Sequence, residues 1–100
     1  MANTYPGAPV NVGQYKNITS AATVLVNSGE GTLYSITFNK PVATTTIAIY
    51  DGLTAGGTLI GTITIPASPM PVTLNYDVQY IVGLCIVMGT ANSDITVSYK

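Results

Sequence analysis

The sequence predicts an all-β fold: a single antiparallel β-sandwich of seven or eight strands, jelly-roll or immunoglobulin-like, with an extended N-terminal arm. Three observations predict it. From about residue 15 onward, β-branched and aromatic residues recur with a period of two. The breaks between these runs carry Gly, Pro, Asn and Asp at the spacing of sandwich turns. No segment has a helical period. A chain of 100 residues has the length of one domain and can bury a core without disulfides.

Residues 1–14 form the arm. Pro6, Gly7, Pro9 and Gly13 break any strand or helix there. Tyr5, Pro6, Pro9 and Val10 are its candidate interaction residues. They suit an extended segment laid on a neighbouring surface, where prolines lower the ordering cost. The sandwich domain spans residues 15–100. YKNITS and ATVLVNS open it, either as two strands or as one long bent strand. Asn27-Ser28-Gly29-Glu30-Gly31 then supplies positive-φ residues for a tight connection.

GTLYSITF follows, with Tyr34, Ile36 and Phe38 expected on one face and Ser35 and Thr37 on the other. Asn39-Lys40-Pro41 ends this strand, because proline cannot donate to a ladder. TTTIAIY sets Ile47 and Ile49 on one face. TLIGTITIP alternates Leu59, Gly61, Ile63 and Ile65 against Thr58, Ile60, Thr62 and Thr64. Ala67-Ser68-Pro69-Met70-Pro71 forbids pairing across it. PVTLNY, VGLCIVM and DITVSYK complete the set, the last two joined by Gly89-Thr90-Ala91-Asn92. Gly31-Thr32-Leu33 recurs as Gly57-Thr58-Leu59, but the apolar phase then slips by one residue, which inverts the faces and rules out a repeat.

Composition narrows the function. Only 7% of residues are charged, against about 25% in an ordinary globular protein. There is no His, no Trp and no Arg, and the three lysines, Lys16, Lys40 and Lys100, form no run. A net charge of −1 gives no footprint for nucleic acid. No apolar run approaches the roughly 20 residues of a membrane span. The first ten residues lack the charged and apolar regions of a signal peptide, so synthesis in a host cytoplasm is expected. Asn17-Ile18-Thr19 matches a glycosylation sequon, whose use would need a secretory signal. Cys85 stands alone inside an apolar run and reads as a small buried hydrophobe. A mean hydropathy of +0.42 with so few charges suggests a surface that faces other proteins.

The acids Glu30, Asp51, Asp77 and Asp94 each fall in or beside an expected turn. A carboxylate pair can do acid–base work, and strand ends could bring Asp51 and Asp77 together for it. No His is present as a base and no Arg as an anion clamp, so no catalytic residue, cofactor site or metal site is assigned and no enzymatic activity is expected. A calcium site of Asp51, Asp77 and loop carbonyls is the alternative for these acids. Asp51-Gly52 after an apolar strand reads more simply as a turn, with Asp51 bonding its own backbone and Gly52 at positive φ. Seven tyrosines suit interface packing or, less readily, sugar stacking.

The stretch from residue 28 to 100 resembles small head decoration, or cement, proteins of tailed phages. The features that carry the resemblance are Ser28-Gly29-x-Gly31-x-Leu33, Ile49-Tyr50-Asp51-Gly52, the strand from Gly57-Thr58 through Thr62-Ile63-Thr64-Ile65-Pro66, Gly83-Leu84, and the terminal Asp94-Ile95-Thr96-Val97-Ser98-Tyr99. The resemblance does not extend to residues 1–27. It implies a structural virion protein on the capsid outer surface that bridges major capsid subunits, often as a homotrimer at local threefold positions. It implies no catalytic residues. The alternative expectation is a receptor- or glycan-binding sandwich module of a phage fibre or tail.

Overall fold

Strands form where the period-two runs lie. The computed structural model describes residues 13–89 and 91–100. It contains β1 (Gln14–Ile18), β2 (Thr23–Ser28), β3 (Gly31–Lys40), β4 (Thr46–Asp51), β5 (Thr58–Thr64), β6 (Val72–Tyr80), β7 (Gly83–Met88) and β8 (Asp94–Tyr99). Among the described residues there is no helix. Tyr5, Pro6, Pro9 and Val10 lie outside the described residues.

The strands make two four-stranded antiparallel sheets, β1-β8-β3-β6 and β2-β7-β4-β5. The pairs β1–β8, β2–β7, β3–β6 and β4–β5 are nested, as if one long hairpin with its tip at residues 52–57 had been rolled over on itself. The pairs β3–β8 and β4–β7 then close the two sheets. This is the jelly-roll order, not the immunoglobulin one. The opening run is not one bent strand. Residues 19–22 carry the chain from β1 in one sheet to β2 in the other.

The core lies between the sheets. Ile18, Leu33, Ile36, Phe38, Ile95, Val97 and Tyr99 come from the first sheet, and Ile47, Ile49, Leu84, Ile86 and Met88 from the second. Each such side chain contributes about 1.5–3 kcal/mol on leaving water. Tyr80 is fully buried and spans the layers: its hydroxyl accepts a hydrogen bond from Asn27 at 2.7 Å and donates to the Lys100 carbonyl at 3.2 Å. Burial pushes its phenol pKa up.

Two expected face assignments fail, both because of an extra residue. In β3 the register shifts between Leu33 and Ser35 against both neighbours: Tyr34 is the extra residue against β8, whereas against β6 it faces two residues, Tyr76 and Asp77. Leu33 is buried in its place, and Tyr34 is only half-buried. In β5, Tyr50 pairs with Leu59 and Ile49 with Gly61, which leaves Ile60 as the extra residue. Ile60 packs on the core, while Leu59 points outward and is 52% exposed. A bulge resets the alternation beyond it. The third correction concerns Asp77. It is not beside a turn but inside β6, at φ 53°, opposite the Tyr34 bulge. Aspartate tolerates that left-handed region better than most residues.

Candidate interaction surfaces

Asp51 ends β4, and its carboxylate does not bond its own turn. It accepts hydrogen bonds from the backbone N–H of Ile81 at 2.9 Å, of Val82 at 2.8 Å and of Gly83 at 3.4 Å. These donors hold its pKa below the ordinary carboxylate value, the Ile81 bond contributing most. Asp51 therefore caps the connection between β6 and β7, which crosses from one sheet to the other. Gly52 is not at positive φ either; among the described glycines only Gly29 is, at 94°. Gly52 is needed for close approach, since a Cβ there would sit 2.7 Å from the Gly57 Cα.

The pairing of Asp51 with Asp77 does not form: one ends β4 and the other interrupts β6 in the opposite sheet. Both Asp51 oxygens face N–H donors, which suits an anion and not a cation ligand. Among the described residues no three of His, Cys, Asp and Glu gather in one place.

Three surfaces remain as candidates. The first is the outer face of the second sheet. Register places Leu25, Cys85, Tyr50 and Leu59 in one row across β2, β7, β4 and β5. Thr23, Val87, Ala48 and Thr62 form the next row. Cys85 is fully buried yet outside the core cluster, because its neighbours in the row cover it. That burial pushes its thiol pKa up, as expected of an inert side chain. Beyond the apolar row lie the connections that carry Leu53, Ile81 and Val82. Of the eight large hydrophobics exposed among the described residues, five (Leu25, Leu53, Leu59, Ile81 and Val82) gather at this end of the sheet.

The second candidate is an open apolar cleft of about 390 Å³ at the other end, between the edge strands β5 and β6. Phe38, Ile63, Ile65, Val72 and Leu74 form its walls, and Pro66, Pro69 and Met70 form its rim. The proline-rich connection that forbids pairing here leaves the space between the edges open.

The third is the outer face of the first sheet, whose paired outward positions are polar apart from Tyr15. Its rows are Tyr15, Ser98, Ser35 and Asn75, then Asn17, Thr96, Thr37 and Thr73. Side chains stitch it together. The Asn17 amide donates to Asp94 Oδ1 at 2.7 Å, and the Asn39 amide donates to the same oxygen at 3.2 Å. The Thr96 hydroxyl accepts from Asn39 at 2.9 Å and from Asn17 at 3.4 Å.

Tyrosines do not dominate any of these surfaces. Tyr80 and Tyr99 are buried, Tyr76 packs against the core, and Tyr34 and Tyr50 are half-buried. Among the described tyrosines only Tyr15 stands out, at 76% exposed. Reasoning from the sequence missed the leucine row and the Asn17–Asp94–Asn39 cluster. The row needed the Ile60 bulge, and the cluster needed the pairing of strands far apart in the chain. No family model, curated protein or solved structure matches the chain.

Proposed function

We propose that the chain is a structural protein of a phage virion, lying on the capsid outer surface and bridging major capsid subunits as a homotrimer. The resemblance over residues 28–100 motivates the reading. The observation that supports it is the apolar end of the second sheet, where five large hydrophobics stay exposed on a stiff scaffold. A contiguous apolar patch of this kind marks a protein contact. The charges near it are few: Asp51, whose oxygens accept backbone hydrogen bonds, Glu30 in the neighbouring turn, and Lys100, whose backbone pairs with Thr32. Leu25 and Leu59 meet the shell in this reading, and Ile81 and Val82 meet the next copy.

Such a contact resists salt. Raising sodium chloride from 0.1 M to 1 M shrinks the Debye length from about 10 Å to about 3 Å, which weakens charge pairing but leaves apolar burial intact. Particles washed at both concentrations should keep the protein, and guanidinium should release it. The double variant Leu25→Lys, Leu59→Lys should fold but occupy particles less than a tenth as well. Full occupancy by that variant, or release by salt alone, would overturn the reading. The second reading, a receptor- or glycan-binding module of a fibre or tail, is separated by copy number. A decoration protein should stain at hundreds of copies per particle relative to the major capsid protein, a fibre module at few.

A further inference from the structure

We propose that the outer face of the first sheet is a binding site for a neutral oligosaccharide. Tyr15 is its stacking platform, and Asp94, Asn17 and Asn39 are its hydroxyl acceptors. The site stands apart from the capsid contact, which lies on the opposite sheet.

Three observations on this face point the same way. The first is the isolation of Tyr15. The other seven exposed large hydrophobics lie at the apolar end of the second sheet, at the cleft rim or beside it; Tyr15 alone rises from a field of Ser, Thr and Asn. An aromatic ring 76% exposed on a strand gains nothing from the core. It offers a flat apolar surface with a polar tip, which matches the C–H face of a pyranose ring.

The second is the fixing of Asp94. Two amides from β1 and β3 converge on a single carboxylate oxygen, at 2.7 and 3.2 Å. Asn17 also donates to the Ile95 carbonyl at 2.9 Å. These bonds tie β1, β8 and β3 together across the sheet, and the side-chain entropy of ordering the three groups is spent in folding. Held in advance, they bind a ligand without that ordering cost.

The third is the balance of donors and acceptors. Both amide NH2 groups are spent within the cluster. Asp94 Oδ2 and the side-chain oxygens of Asn17 and Asn39 have no hydrogen-bond partner among the described residues. The free groups of the carboxylate and the two amides are therefore acceptors, the Thr96 hydroxyl keeps its proton to donate, and the complementary ligand is rich in hydroxyls, which do both. Asp94 repels a carboxylate or sulfate on the ligand. That repulsion disfavours uronic and sulfated sugars at the acceptors; Lys40, the register partner of Asp94, is exposed on the neighbouring strand.

The spacing sets the ligand's length. Tyr15 pairs with Ser98, Asn17 pairs with Thr96, and Asp94 lies two residues further along β8. At about 3.4 Å per residue the site runs about 14 Å, longer than one sugar ring. One ring stacks on Tyr15 while the next meets the acceptors. The flat strand surface favours an extended chain over a branched one.

The test uses the full chain and four soluble polymers: laminarin, dextran, galactomannan and, as the anionic comparison, polygalacturonate. Affinity electrophoresis should show retardation by at least one neutral polymer and none by polygalacturonate. Tyr15→Ala should weaken that binding about tenfold, the loss expected when one aromatic anchor is truncated. Asp94→Asn should weaken it severalfold. Leu59→Lys, on the other sheet, should leave it unchanged. In amide-resolved NMR, titration with the bound oligosaccharide should move the side-chain NH2 signals of Asn17 and Asn39. Failure of all three neutral polymers to retard the protein would overturn the proposal. So would Tyr15→Ala binding like the parent, or signals shifting at Leu25 and Cys85 instead.

Discussion

The two outer faces share one architecture and differ in almost everything else. Each belongs to a four-stranded antiparallel sheet, and each backs onto the same core. On the first sheet the outward positions are Ser, Thr and Asn, tied to one another by side-chain hydrogen bonds. On the second, Cys85 and Tyr50 lie between Leu25 and Leu59 in one row, and Val87 and Ala48 lie between Thr23 and Thr62 in the next. The lesson lies in the period of two. Inward positions are dictated by the need to fill a common core, so both sheets use Ile, Val and Leu there. Outward positions carry no such constraint, and their chemistry reports what each face meets.

The strongest way to break the comparison is to remove what the faces share. Ile86 is fully buried in β7 and belongs to the central cluster. Ile86→Ala should cost about 2–5 kcal/mol, the transfer loss plus the cavity left behind. Both faces should then fail together, giving one cooperative urea transition at lower midpoint, with chymotryptic cleavage appearing at the tyrosines of both sheets at the same urea concentration. Loss of one sheet's protection before the other would show that the sheets fold as separate units.

Asp51 offers a sharper test, because it joins the sheets without belonging to either face. Its carboxylate gathers the N–H groups of the connection between β6 and β7. A pKa held below the unfolded value, about 3.9, means that the charged form stabilises the fold. That contribution is present above the unfolded value and is lost as the pH falls through the lower folded one. Asp51→Asn should therefore lower Tm at pH 7, and the gap to the parent should close as the pH drops below about 4. Thermal scans between pH 7 and pH 2 decide it. A gap that stays constant into acid would mean that shape, and not charge, makes this cap.

How far these features are legible in the sequence follows from the range of each cause. The strands are legible because alternation is local: Ile47 and Ile49 are buried as their spacing requires. Pro41 and the run from Ala67 to Pro71 mark real breaks for the same reason. The bulges at Tyr34 and Ile60 are not legible, since an extra residue shows only against the partner strand, β8 for the first and β4 for the second. Sheet membership is likewise absent from any local pattern, so the sequence leaves open whether β1 and β2 are two strands or one bent one. Asp51 looks like a turn residue because its partners stand 30 to 32 residues away. The cluster at Asp94 joins positions 77 and 55 residues apart, and only the nested topology brings them together.

The smallest expected effects come from one substitution made twice. Thr37, on the outer face of the first sheet, shares a hydrogen bond of 2.9 Å with Thr73 on the adjacent strand. Thr45, just before β4 in the second sheet, is fully buried, and its hydroxyl has no hydrogen-bond partner among the described residues. Threonine to valine changes a hydroxyl for a methyl and little else in shape. At Thr37 the change breaks a satisfied cross-strand pair, so Thr37→Val should cost about 0.5 kcal/mol. At Thr45 it removes a buried polar group that never recovered its lost hydration, so Thr45→Val should gain about 1 kcal/mol. Urea midpoints at constant slope measure both. Opposite signs would show that the hydroxyls of the first sheet are paired by design, whereas that of Thr45 is a cost the fold carries. Destabilisation at both positions would mean that Thr45 has a partner, and the contrast between a stitched face and an unstitched one would then rest on the apolar row alone.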